Sequence, residues 1–444
     1  MISNDAPNPL DHVAGNGLLD RRLFLSKTFL SATSLAFLGS GANARAARPT
    51  EPWMTQPGAP FTNYGVPSPH AAGIVRWVSA NPDLPGNGVA WTPLQDLDGI
   101  ITPSGLHFER HHNGVPQIDP ARHELLLDGL VDRPLKFTLD ALLRYPRESR
   151  ILAIECGGNS NAGWNIRPAE SPVGTFHGLV SCSEWTGVPL RVLLDEASVK
   201  SSARWAIAEG ADAFGMTISL PLSKLRDDCL LAVMQNGEPL RPEQGYPLRL
   251  IVPGWEGVTH VKWLRTLQLT DRPMMARNET AEYTELQPDG KARMFTFVME
   301  AKSLITNPSA GMHLATPGYY QISGIAWSGR GKISRVEISA DGGKTWADAE
   351  LNEPVLPRAF TRFRVPWQWQ GQSAILQSRA TDESGYRQPT RAALIAERGR
   401  HGYFHYNAIV SWEVTTAGIV RHVYVDAAPE AGAGSSDPFD HAWD

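Results

Sequence analysis

Four apolar residues in a row, Ile151, Leu152, Ala153 and Ile154, stop abruptly at Glu155-Cys156-Gly157-Gly158-Asn159. A run so short, with a turn signal directly behind it, reads as a buried β-strand. A buried strand needs covering layers, so this stretch commits its surroundings to a layered, sheet-containing domain. The strand delivers a cysteine to a loop in which two glycines and an asparagine allow positive φ and a close backbone approach to whatever the sulfur touches. A thiol so placed is a ligand or a nucleophile. A buried structural cysteine is the competing reading, and this stretch alone does not choose between them.

The remaining texture is also that of strands. The chain of 444 residues sets 40 glycines and 34 prolines among short apolar runs, which favours strands joined by turns over long helices. Residues 45–94, rich in Pro, Gly and Asn, read as an irregular wrapping arm. Between 95 and 288 an α+β domain with a mixed sheet is expected. Its strands are Glu124–Leu127, Arg204–Ala208, Leu230–Gln235 with a hairpin turn at Asn236-Gly237, Pro247–Val252 and Val261–Leu269. Its helices are a short one capped by Thr138 and an amphipathic one through Leu190, Leu193, Leu194 and Ala197, led in by Pro189. From 289 to 400, Tyr320–Trp327, Ile333–Ser339, Phe360–Val365 and Ser373–Ala380 alternate, split by turns such as Asp341-Gly342-Gly343, the pattern of an immunoglobulin-like β-sandwich. Residues 401–444 read as a docking tail with Tyr403, Phe404, Tyr406 and Trp412, ending in an acidic Ala-, Gly- and Ser-rich stretch expected to be mobile.

A net charge of −5 with no basic block argues against nucleic acid, and no amphipathic basic stretch suggests a membrane surface. Arg21-Arg22-Leu23-Phe24-Leu25-Ser26-Lys27, a diluted apolar run from Thr28 to Gly39, and Ala42-Asn43-Ala44 follow the order of a twin-arginine export signal over residues 1–44. The apolar run is too short for a membrane span. The expected destination is the periplasm, by a route that carries folded proteins and so suits a cofactor inserted beforehand. Three cysteines, Cys156, Cys182 and Cys229, are too few for a disulfide scaffold. If Cys156 is a ligand, the other two are either bridged or buried.

Donors suited to a polyanion flank Cys156 in the sequence. Arg110 and His112 precede it, and Arg249 and His260-Val261-Lys262 follow it. Each alone is more often a solvated or satisfied core residue. Together, the order Phe108-x-Arg110-x-His112, Cys156-Gly157-Gly158-Asn159, Asn236-Gly237-Glu238-Pro239-Leu240, Gly245-Tyr246-Pro247-Leu248-Arg249 and Val261-Lys262-Trp263-Leu264 resembles the sulfite oxidase family of molybdenum enzymes, in detail its sulfane dehydrogenase branch. Residues 290–400, with Glu337-Ile338-Ser339-x-Asp341-Gly342-Gly343-Lys344-x-Trp346, resemble that family's dimerisation domain.

The resemblance implies a molybdopterin-binding core followed by the sandwich, and a molybdenum held by one pyranopterin and by Cys156 as sole protein ligand. It places Phe108, Glu109, Arg110, His111, His112, Asp212, Gln244, Arg249, His260, Val261 and Lys262 around the pterin and its phosphate. Trp185, Tyr246 and Tyr283 would line the pocket, with Arg110 steering an anionic substrate. Two departures bear on the substrate. The family commonly has two arginines after the asparagine of the cysteine loop, where this chain has Ser160 and Asn161, and Gln244 stands where many relatives have histidine. Both favour a sulfur presented on the arm of a carrier protein over free sulfite. No C-x-x-C-H haem site occurs in this chain, so a separate c-type cytochrome is expected to take the electrons, within a hetero-oligomer built on a homodimer. The rival readings are a dehydrogenase of free sulfite, a periplasmic molybdenum reductase of methionine sulfoxide type and, from another class, a surface adhesion protein built on the sandwich.

Overall fold

The computed structural model describes residues 12–20, 50–400 and 402–425. The expected export signal from Arg21 to Ala44 and the acidic end from 427 to 444 lie outside the described residues.

The cysteine strand, Glu148–Glu155, is the edge of a sheet continued by Val180–Pro189, Leu230–Gln235 and Glu238–Pro239, with Arg249–Ile251 also paired to Leu230–Gln235. Asn236 and Gly237 both take positive φ, 50° and 78°, which closes a two-residue hairpin whose twist matches its strands. A second sheet runs Thr217–Pro221, Trp205–Gly210, Leu264–Thr270, Glu124–Gly129 and Leu135–Thr138. It is mixed, because Leu264–Thr270 and Glu124–Gly129 are parallel and the other neighbours antiparallel. The two sheets close on one core, in which Leu125, Leu127 and Leu267 meet Val188, Leu231 and Leu250, plugged by Leu190, Leu193 and Leu194 of the helix Leu190–Glu196. The Thr138 hydroxyl accepts the Ala141 amide at 3.2 Å and caps the helix Leu139–Leu142.

The sandwich has one sheet built on Lys302–Asn307, Gly318–Trp327 and Thr361–Trp369. The other runs Ala347–Asp348, Ile333–Ser339, Ala374–Asp382, Ser411–Val414 and Val420–Val423. The side-chain period of two explains how the halves join. Along the cysteine strand, Ala153 faces away from the site and belongs to the sandwich core with Trp327, Phe363 and Trp412, whereas Leu152 and Ile154 face Phe108, Trp185 and Tyr246. The loop carrying Cys156 is therefore pinned between two cores.

Three expectations need correction. The arm is not irregular throughout: Trp77–Ala80 and Gly88–Trp91 pair, and Glu109–His111 adds to them, so the arm supplies the strand beside Arg110. The sandwich does not end at 400, since Ser411–Val414 and Val420–Val423 are strands of its second sheet, carrying Trp412 fully into the core. The strand expected over Val261–Leu269 begins at Leu264, because the left-handed φ of +52° at Trp263 interrupts the extended backbone there. All three cysteines are free; Cys182 and Cys229 are buried, and burial pushes the Cys182 thiol up to about 12.

Candidate active site

The cysteine loop is held by its own backbone. The Cys156 amide donates to the Leu179 carbonyl at 2.9 Å, and the Asn159 amide donates back to the Cys156 carbonyl at 2.8 Å, closing a turn. The Asn159 side chain donates to Glu155 Oε1 (3.0 Å) and accepts the Leu179 amide (3.1 Å). A Cβ on Gly157 would lie 2.5 Å from Glu256 Oε2, so a larger residue there would displace that buried carboxylate. Half-buried Cys156 is left at the mouth of this loop. Its thiol is pushed up by burial, while the Gly158 amide and the charge of Arg110 act in the opposite sense.

Behind the loop stands a cation from the sandwich. Lys302 is fully buried, and its ammonium donates to Glu155 Oε1 (2.9 Å) and to the Ser160 hydroxyl (2.7 Å). Ser160 also meets His177 Nδ1 at 2.6 Å, and Trp327 Nε1 donates to Glu155 Oε2 at 2.7 Å. Ser160 takes a left-handed backbone, φ +66°, which turns it to this rear side. Its neighbour Asn161 instead acts on Tyr403, drawing that hydroxyl down against the effect of burial.

In front of the loop the walls are aromatic. Tyr403 lies 3.6 Å from where a Cβ on Gly158 would be, and the ring of Phe404 is 5.3 Å from that of Tyr283. The His405 amide donates to the Gly157 carbonyl at 2.8 Å, which fastens this tail segment to the loop. Burial, then the charge of Cys156, raises the Tyr283 and Tyr403 hydroxyls above their usual range. Arg110 is the cation that acts on Cys156, Tyr283 and Tyr403 alike.

Deeper lies a cluster of cations. Buried Arg249 stacks 5.1 Å over Trp185, and its Nη1 donates to the side-chain and backbone oxygens of Gln244 at 2.9 and 3.2 Å. Gln244 in turn donates to the Phe108 carbonyl at 2.9 Å. Lys262 donates to the Arg110 carbonyl (3.1 Å), His111 Nδ1 (2.9 Å) and the Glu243 carbonyl (3.3 Å). His111 passes the contact to Glu109, which also pairs with Arg76. His112 stacks on Phe214, its ring brought down to about 4 by burial and then by Arg110.

The hydrogen bonds of Arg249 and Lys262 end on carbonyls, an amide and an imidazole, none of them a carboxylate. Burial draws Arg249 down to about 9 and lowers Lys262 well below the lysine range, where the charge of Arg249 adds to the effect. Arg249 Nε and Trp185 Nε1 are buried without a partner. Buried cations and orphaned donors of this kind fit an anionic, heteroatom-rich ligand and cost stability without one. Among the described residues no group of three or more His, Cys, Asp or Glu gathers as a metal site, so a metal on Cys156 would take its other bonds from a cofactor.

The structure thus brings Phe108, Glu109, Arg110, His111, His112, Gln244, Arg249, Lys262 and Trp185 together beside Cys156. Tyr246 packs on the same cluster, and Asp212 holds the Met216 amide at 3.1 Å while its charge acts on Lys262. It does not direct two of the expected side chains to the ligand space. His260 accepts the Val252 amide on Nδ1 (3.3 Å) and donates from Nε2 to the Trp255 carbonyl (2.9 Å), and Val261 is buried in the two-sheet core. Sequence reasoning missed Lys302 and the pocket role of Tyr403 and Phe404. The aromatic tail was the available signal for the latter two, and nothing local marks Lys302.

Two family profiles match the chain: an oxidoreductase molybdopterin binding domain over residues 112–278 and a Mo-co oxidoreductase dimerisation domain over residues 293–412. A crystal structure of the sulfane dehydrogenase SoxCD from Paracoccus pantotrophus is 43% identical, covers 84% of this chain and 97% of that one, and superposes with a TM-score of 0.81. Mouse mitochondrial sulfite oxidase is 30% identical over 67% of this chain and 59% of its own length. A nitrate reductase of Phaseolus vulgaris is 31% identical over 66% of this chain and 37% of its own. The chain therefore spans 37 to 59% of the length of these curated relatives.

Proposed function

From the premise that the chain belongs to the sulfite oxidase family of molybdopterin-dependent oxidoreductases, we propose that it oxidises reduced sulfur, and that its preferred substrate is a sulfane carried on a protein. When bound, the molybdenum-pterin cofactor supplies oxygen transfer to sulfur and takes up two electrons. The chain's own residues hold and shape the site. Cys156 is the thiolate for the metal, and Arg249, Lys262, Gln244 and the 108–112 segment form the cradle for the anionic pterin. Tyr283, Tyr403 and Phe404 restrict water and leave an aromatic approach for an incoming arm. Arg110 gives that approach one positive charge.

The observation that carries the substrate preference is the rearward turn of Ser160. Where relatives carry an arginine for a small dianion, this chain places a hydroxyl bound to Lys302, on the far side of the loop from Tyr403. The lost recognition of free sulfite is on the order of one charge-assisted hydrogen bond, about 1.5–3 kcal/mol. The reading extends to export by the twin-arginine route, a homodimer within a larger assembly and electron delivery to a c-type cytochrome. The supports are the Arg21-Arg22 order, the dimerisation-domain match and the likeness to SoxCD. The test is cytochrome c reduction at matched concentrations of sulfite and of a carrier bearing a cysteine-bound sulfane. A wide preference for sulfite would overturn the proposal in favour of a sulfite dehydrogenase.

A further inference from the structure

Residues 12–20, which precede the arginine pair in the sequence, are folded onto the sandwich. His12–Ala14 and Leu18–Leu19 form a small hairpin, with Asn16 and Gly17 at φ +56° and +87° in its turn. Leu18 bridges Trp367 and so extends the edge of the strand Thr361–Trp369. The seat is specific. Trp367 Nε1 donates to the Asn16 carbonyl (2.6 Å) and the Gln368 amide to the Gly17 carbonyl (2.9 Å). The Asn16 side chain donates to the Ala340 carbonyl (2.8 Å), and the Gly15 amide donates to the Thr345 hydroxyl (2.7 Å). Gly17 has no room for a Cβ against the Gln368 carbonyl, nor Gly15 against the Asp341 carboxylate. Leu18 is fully buried in the sandwich core.

The hydrogen-bond and steric partners just named come from residues 340–345 and 367–368, which meet only when the sandwich is folded. In the sequence Arg21 follows Leu19 by two residues, so the arginine pair directly adjoins the docked strand. We propose that this edge is a peptide-binding site whose ligand is the chain's own leader, bound by β-strand addition, and that docking withholds the arginine pair from the export machinery until the hairpin lets go. The withholding claim rests on the twin-arginine reading above. Ordering nine residues opposes the burial of two leucines and the hydrogen bonds of the seat, so the docked state is marginal and suits a latch.

The site is tested on purified full-length precursor, kept in the cytoplasm by Arg21→Lys with Arg22→Lys, against the same precursor carrying Leu18→Asp. The Gly15 and Gln368 amides are expected to exchange with deuterium about 10-fold more slowly in the parent; equal exchange overturns the site. The latch is tested by pulse-labelling with both arginines intact. Leu18→Asp, and from the sandwich side Trp367→Phe, are expected to reach the periplasm about 2-fold sooner, and equal or slower arrival of both overturns it. Normal export of the double-lysine precursor would instead remove the twin-arginine reading, while the exchange result speaks to the docking site alone.

Discussion

Replacing Lys302 by methionine keeps most of the side chain and removes the ammonium that the sandwich lends to the cysteine loop, with its hydrogen bonds to Glu155 and Ser160. Glu155 then retains two neutral donors, Asn159 Nδ2 at 3.0 Å and Trp327 Nε1 at 2.7 Å, but no cation. A buried ion pair broken on one side costs about 3–5 kcal/mol. Lys302→Met should therefore lose about 3–5 kcal/mol. Lys302→Met combined with Glu155→Gln, which removes the unpaired buried charge, should recover most of that loss. The assay is urea unfolding followed by tryptophan fluorescence, with the full double-mutant cycle at pH 7. A double variant no more stable than Lys302→Met alone would refute the electrostatic account and leave a packing defect in its place.

Cys156→Ser exchanges a soft ligand for a hard one and should abolish turnover while pterin content stays near one per chain; activity lost instead on Cys182→Ser would show that the wrong thiol was chosen. Asn161→Arg, on the Tyr403 side of the loop, should raise kcat/KM for sulfite about 10-fold, whereas Ser160→Arg, pressed against Lys302 and His177, should lower folded yield without that gain; steady-state cytochrome reduction separates the two. Burial opposes the charge of His405, but Glu256 outweighs it and raises the imidazole above 6.5. The stability it contributes is full below pH 6.5 and fades as pH rises through the raised value, so the gap in Tm between wild type and His405→Gln should shrink on going from pH 6 to pH 9, and a constant gap would contradict the pairing.

What was legible in the sequence was what is encoded locally. Ile151–Ile154, Leu230–Gln235 with Asn236-Gly237, and Ile333–Ser339 announce themselves by apolar runs, alternation and turn chemistry, and all are strands. The cation cluster was legible as a set of motifs in order, although spacing could not tell that His260 gives both ring nitrogens to backbone at 252–255. Val180–Pro189 and Lys302–Asn307 went unread because both are buried strands whose polar residues are paired inside the fold, which hides the alternation. Ser181 meets Thr92, and Ser303 meets Gln388 and Ser378, contacts made 75 to 89 residues away along the chain.

The same non-local logic governs what the pocket can recognise. From the sequence, Ser160 looks like a vacancy where an arginine would stand in the substrate's path. In the structure its left-handed backbone carries the side chain to the rear of the loop, so the position contributes to substrate charge only through what it displaces. Lys302 restores a cation on that rear side, yet spends it on Glu155, the residue that begins the cysteine turn. The substrate side is left with Arg110 and three aromatic rings. Under the proposed function, a single guanidinium attracts an anion but cannot clamp its oxygens from two directions, and the aromatic walls around Cys156 suit a neutral or singly charged sulfur on an extended arm. Selectivity would then be set by which side of one loop each positive charge falls on, and moving one charge across it, by Asn161→Arg, tests that directly.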